Sequence, residues 1–182
     1  MASSSWKHLS SAYVHQNPWY KVRQDQVIMP NGKPGVYNVV ETRGSVYILP
    51  ITKEGNIVLV RLFRYTTQSD SWEIPAGGIE DEEHPLLAAK RELQEELGCE
   101  AEKWENLGSI EPANGIMSAK GHIFLAQGLA KQGKNEQLEE GITETKAFTP
   151  GKIRHMLADN IIVDGPTLSA LLLAIAKGRL TL

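Results

Sequence analysis

Residues Gly77–Cys99 read GGIEDEEHPLLAAKRELQEELGC: two glycines, an acidic turn, then a run of strong helix formers closed by a third glycine. Pro85 stands where a first helical turn accepts proline, and Gly98 is a stop signal, so the spacing predicts a helix between them. On a wheel of about 100° per residue, Leu86, Ala89, Leu93 and Leu97 share an arc of roughly 80°. Glu92, Glu95 and Glu96 fill an adjoining arc of roughly 100°. A solvated surface face is one reading of those acids. Yet like charges at i, i+3 and i+4 repel by a few tenths of a kcal/mol even when exposed, and by about 4 kcal/mol at 4 Å in a cleft of effective dielectric near 20. A divalent cation turns such repelling oxygens into ligands, and oxygen-only ligation suits Mg²⁺ or Mn²⁺.

Outward from this segment, WEIPAGG (72–78) reads as a short strand ending in a tight turn. SVYILPIT and IVLVRLFRY, joined at KEGN, read as a hairpin whose continuous apolar character implies burial on both faces. WYKVRQDQVIM and VYNVVET are extended on either side of PNGKPG, while residues 1–18 are serine-rich and read as an irregular N-terminal arm. WENLGSI and HIFLAQGL follow the helix as strands, and ITETKAF is a last weak one. Pro150 opens a short helix, and Asp164, Pro166 and Thr167 are start signals for a closing one. The expectation is an α/β fold: one mixed sheet covered by helices, in a single domain over 19–182, with residues 19–44 as N-terminal strands.

The chain has 182 residues, room for one ordinary domain. Its net charge of −3 is uneven. Glu80–Glu96 holds seven acids and two bases, a balance of −5, which leaves the rest at +2. A near-neutral body with one acidic spot argues against a nucleic-acid binder. The single cysteine, Cys99, excludes an internal disulfide and reads as a small core residue. No apolar run approaches the ~20 residues of a membrane span, and the first residues lack the apolar centre of a secretory signal, so a cytoplasmic protein with no membrane partner is expected.

Gly77, Glu83, Arg91-Glu92-Leu93, Glu95-Glu96, Gly98 and Cys99 together resemble the Nudix box, complete at nine specified positions over 23 residues. The resemblance implies an α/β/α sandwich with a mixed β-sheet, in a family that hydrolyses a nucleoside diphosphate linked to another group. It implies that Glu92, Glu96 and the Ala76 carbonyl hold divalent metal, that Glu95 shares a further ion, that Glu83 is structural and that Arg91 orients the glutamates. WYKVRQDQV, SVYILPIT, IVLVRLFRY, WEIPAGG, GHIFLAQGL and DGPTLSALLLAI extend the likeness to the branch that cleaves ADP-ribose and nucleoside diphosphate sugars. Members of that branch are typically homodimers whose N-terminal strands help line the partner's site.

Cleaving a diphosphate requires water to attack an anionic phosphorus. Metal neutralises the oxygens and acidifies the water, and a carboxylate takes its proton. In this branch the base usually lies in a loop outside the box, which points to Glu140, then Glu139, with Glu144 a distant third; Glu95 belongs to the catalytic set as well. Arg64 reads as a phosphate or sugar contact, or else as a surface ion pair. Trp19 and Tyr20 read as a base-stacking pair or as core aromatics. Trp72 reads as packing and His122 as structural. Asn114 stands where ADP-ribose-selective members usually have proline, and Leu62 where they often have glutamine. Both departures favour a broader nucleoside diphosphate sugar hydrolase, with Asn114 or Ser118 hydrogen-bonding the sugar. The competing functions are a Nudix hydrolase for triphosphates, dinucleotides or caps, and an idle sensor of ADP-ribose-type ligands. The intact carboxylates speak against the sensor.

Overall fold

The structure is a computed structural model that describes residues 5–133, 137 and 140–182. It divides into two compact units, one of residues 1–43 and 111–120, the other of 44–110 and 121–182.

In the first unit, β1 (Lys7–Gln16), β2 (Tyr20–Ile28) and β3 (Pro34–Thr42) form an antiparallel meander. The two-residue β9 (Met117–Ser118) pairs in parallel with β3 at Val40 and Glu41. Arg23 ties the strands together: its Nε donates to Asp25 Oδ1 at 2.9 Å and its Nη1 to Glu41. Ser11 Oγ donates to Asp25 at 2.6 Å, and Tyr13 OH to Glu41 at 2.9 Å. The irregular arm expected for residues 1–18 is therefore corrected, because residues 7–16 form a strand. KHLSSAYVHQ is exposed along its whole length and carries no apolar alternation, so only its long-range ladder to β2 defines it. The single sheet is likewise corrected to two.

The second unit carries a seven-stranded mixed sheet. It uses β4 (Ser45–Ile51), β5 (Ile57–Arg64), β6 (Ser69–Glu73), β7 (Ala76–Gly78), β8 (Cys99–Ile110), β10 (Gly121–Lys131) and β11 (Ile142–Phe148). The main path is β11–β5–β4–β10–β8, with β6 on β5 and β7 on β4; β4 and β10 run parallel. Alternate side chains of the central strands enter two cores. Val46, Ile48, Val58, Val60, Phe124 and Ala126 pack with Ala88, Ala89, Leu93 and Leu97 of α1 (Pro85–Leu97). Leu49, Ile57, Leu59, Ile123 and Leu125 pack with Ile153 and Met156 of α2 (Pro150–Ala158) and Ala170, Leu171 and Ala174 of α3 (Gly165–Ala176). This is the expected α/β/α sandwich, and the unbroken apolar runs are explained by having a helix layer on each face. Trp72 packs edge-on against Phe148 at 5.0 Å, as a core aromatic.

Helix α1 begins and ends where the sequence predicts. His84 caps it by accepting the Leu86 N–H on Nδ1 at 3.2 Å, Pro85 opens it, and Gly98 ends it at φ +62°. Gly98 needs its glycine: few other residues adopt that left-handed conformation without strain.

Candidate active site

The site lies in the second unit, where α1 faces the β7 backbone. Ile48 N–H donates to Pro75 O and Ile79 N–H to Gly44 O, each at 2.9 Å. In antiparallel pairing the bonded and non-bonded positions alternate, so Tyr47 and Ala76 form a non-bonded pair. The N–H and C=O of Ala76 therefore point away from β4. The N–H donates to Glu96 Oε1 at 3.2 Å, and the carbonyl is directed to the same side. Gly77 explains the next position. A Cβ there would come within 2.0 Å of the Glu92 carboxyl, so glycine makes the space that the carboxylate fills.

Glu92 and Glu96 are buried, at 6% and 5% exposure, whereas Glu95 lies at the margin. The acidic arc of α1 is not a solvated face. Burial raises the Glu92 carboxyl above its ordinary value. Burial pushes Glu96 up to about 8, against the Ala76 N–H, which favours its anion. The negative charges of Glu92 and Glu140 raise Glu96 further, and that of Glu140 also raises Glu92. Arg91 collects the rest. It donates to both oxygens of Glu83 at 3.1 and 3.0 Å, to Glu92 at 2.6 Å, to Glu95 at 3.0 Å and to the Gly78 carbonyl at 2.8 Å. The guanidinium holds Glu83 below the usual carboxylate range. One guanidinium thus serves three carboxylates, and with Glu96 and Glu140 in addition the cluster keeps an excess of negative charge, although the Arg64 charge also acts on Glu96.

Among the described residues no three His, Cys, Asp or Glu side chains close around one point as a ready metal cage. The donor set still fits a hard divalent ion. It offers buried carboxylates and a directed backbone carbonyl, and an ion such as Mg²⁺ takes one or two carboxylates and completes its shell with water and substrate oxygens.

Arg64, read as a phosphate or sugar contact or else as a surface ion pair, does form an ion pair: its Nε donates to Glu73 Oε1 at 2.9 Å. Glu73 is a residue the sequence reading missed. Arg64 stands opposite Ser69 while Glu73 stands opposite Val60, so the pair runs diagonally along two strands and leaves no local signature. In the sequence Asp164 and Thr167 read only as helix starters. Asp164 does accept the Thr167 N–H at 2.8 Å, but Thr167 Oγ1 also accepts the Ile74 N–H at 3.0 Å and pins the segment that leads to Ala76. Trp19 (77% exposed), Asn114 and Ser118 belong to the first unit. Glu139 lies outside the described residues, and Glu140 is exposed in a turn.

Residues 41–170 match the family model described as the NUDIX domain. The chain belongs to the NUDIX family. Residues 6–40 of this Nudix hydrolase match a second family model, the nucleoside diphosphate sugar hydrolase N-terminal domain, which covers most of the first unit's three long strands. The chain is similar to the ADP-ribose pyrophosphatase of Mycobacterium tuberculosis, 35% identical over 151 residues, 82% of this chain and 73% of that one. It is similar to the ADP-ribose pyrophosphatase of Bacillus subtilis, 35% identical over 140 residues, 77% and 76% of the two chains. Among solved structures, a crystal structure of ADP compounds hydrolase superposes with a TM-score of 0.84 at 25% identity, covering 97% of each chain. Nudix pyrophosphatases generally need a divalent metal ion.

Proposed function

We propose that this Nudix hydrolase splits the diphosphate of nucleoside diphosphate sugars, ADP-ribose included, into a nucleoside monophosphate and a sugar phosphate. The observation that carries the reading is the pair Glu92 and Glu96, buried one helical turn apart, Glu96 on the Ala76 N–H and Glu92 beside Gly77. The names of the similar pyrophosphatases and of the N-terminal family model support the substrate class. Glu92, Glu96 and the Ala76 carbonyl would hold Mg²⁺, or Mn²⁺ in its place, with Glu95 sharing a second ion. When bound, the ion neutralises diphosphate charge and acidifies the attacking water. Glu140 takes the water's proton: it is exposed, and close enough for its charge to act on both buried glutamates. Glu139 is the alternative base.

Arg91 keeps the glutamate side chains aligned, and Arg64 contacts a substrate phosphate. Trp19, Asn114 and Ser118 are proposed contacts to the base and the terminal sugar. The enzyme is further proposed to be a cytoplasmic homodimer with no nucleic-acid partner. Among the described residues no helix is long and apolar enough to cross a membrane.

The test is turnover of ADP-ribose, GDP-mannose, ADP-glucose and nucleoside triphosphates, with and without Mg²⁺. Turnover of the diphosphate sugars with Mg²⁺ alone is expected. Turnover of triphosphates only overturns the substrate class, and binding without turnover makes the protein a sensor. Glu140→Gln should lower kcat by about 10²–10⁴-fold, the usual contribution of a general base. Unchanged kcat would transfer the role to Glu139.

A further inference from the structure

Arg64 is gripped by one edge. Its Nε and Nη2 donate to the two oxygens of Glu73 at 2.9 and 2.5 Å, so a single carboxylate engages the sideways edge of the guanidinium. The end carrying Nη1 takes no part in that contact. The Glu73 side chain is 7% exposed and that of Arg64 46%, so the pair has a buried acidic end and an open basic end. A two-bond fork fixes the plane of a guanidinium as well as its position, which a single hydrogen bond does not. The grip is itself anchored, since Glu73 precedes Ile74, whose N–H is bound by the buried Thr167 hydroxyl. Arg64 also lies close enough to Asp164 and Glu96 for their charges to act on it.

We propose that Glu73 is a positioning residue, holding Arg64 side-on so that its Nη1–Nη2 edge is presented to a phosphate oxygen of the substrate. The proposal rests on the reading of Arg64 as a phosphate contact. A long arginine left free would lose rotamer freedom each time it bound an anion; one fixed beforehand does not, and affinity rises by that difference. A purely structural ion pair between β5 and β6 would act on stability and leave substrate affinity alone.

The test is a double-mutant cycle with Glu73→Gln, Arg64→Ala and both together. It is read as kcat and KM for ADP-ribose with Mg²⁺, and by calorimetry as affinity for inorganic pyrophosphate. Each single variant is expected to raise KM by about 10–100-fold, the loss of a charge-assisted hydrogen bond, with kcat within a few-fold of wild type. The double variant should be no worse than Arg64→Ala, because Glu73 has nothing left to position. Glu73→Asp, which keeps the charge on a shorter arm, should fall between wild type and Glu73→Gln, and it carries the same cycle if Glu73→Gln does not fold. Additive losses, or a lower melting temperature with unchanged KM and pyrophosphate affinity, overturn the proposal. A wild-type enzyme inactive on ADP-ribose, with pyrophosphate affinities still coupled between the two residues, overturns the substrate class and leaves the role of Glu73 standing.

Discussion

Glu96 sits where solvent cannot stabilise its charge, and this has a measurable consequence. Its folded-state value of about 8 lies above the ordinary 4.5, so between these values the native protein binds more protons than the unfolded chain. Stability contributed by this group is full below about pH 4.5 and is lost as pH rises through about 8. Thermal unfolding of the wild type and Glu96→Gln in chelator should therefore diverge, the wild type losing ground to the variant as pH increases across that window. Added Mg²⁺ should reverse the trend and release a proton, while Glu96→Gln should lack metal-dependent turnover yet keep its fold. A wild-type profile parallel to that of Glu96→Gln would remove the burial argument. Gly77 and Gly78 make a second comparison at this scale. A Cβ on Gly77 meets the Glu92 carboxyl at 2.0 Å, whereas one on Gly78 meets nothing within 4 Å. Gly77→Ala should abolish activity or raise the metal requirement more than tenfold, and Gly78→Ala should remain close to wild type in a metal titration.

Among the elements, α1 was fully legible because its signals are local: a proline at the start, a glycine at the end, and an apolar stripe with the right period. Leu93 is completely buried on that stripe, and a buried leucine contributes about 1.5–3 kcal/mol. The segment between β6 and β7 was legible only as a strand ending in glycines. Its placement depends on α3, ninety-three residues away in sequence, through the Thr167 hydroxyl and the Ile74 N–H. Thr167→Val keeps the shape and removes the acceptor, leaving a buried N–H unsatisfied at a cost of about 1–3 kcal/mol. Thr167→Ser keeps the hydroxyl and should recover most of that loss. Denaturant unfolding measures the cost, and kcat/KM shows whether the shift reaches Ala76 and Glu73. Equal stability of the Val and Ser variants would show that the strut carries no load.

For the whole molecule, the first unit leaves Trp6, Leu9, Tyr13, Val14 and Val36 each about half exposed. In the proposed homodimer these side chains are the ones a second copy would cover. Sedimentation should give twice the 20.1 kDa chain mass at micromolar concentration. Leu9→Glu with Val14→Glu should shift it to the monomer, and a wild-type monomer would refute the dimer. Charge also belongs to this scale. The −5 segment is where the fold buries Glu92 and Glu96, and the divalent metal proposed to bind them would leave the working enzyme less negative than its formal −3.

By itself the sequence determined the family and the local elements: the carboxylates and their helical spacing, the proline and glycine that bound α1, and strands apolar enough to be covered on both faces. Each of these is written in neighbouring residues, because helix and strand periods are short. Only the tertiary structure decided which of the α1 glutamates are buried, that residues 7–16 form a strand, that residues 117–118 pair with β3, and that Glu73 holds Arg64. These depend on contacts between residues far apart in the chain. Burial, which shifts the carboxyl groups and gives an ion pair its direction, is a property of what surrounds a residue rather than of what precedes and follows it.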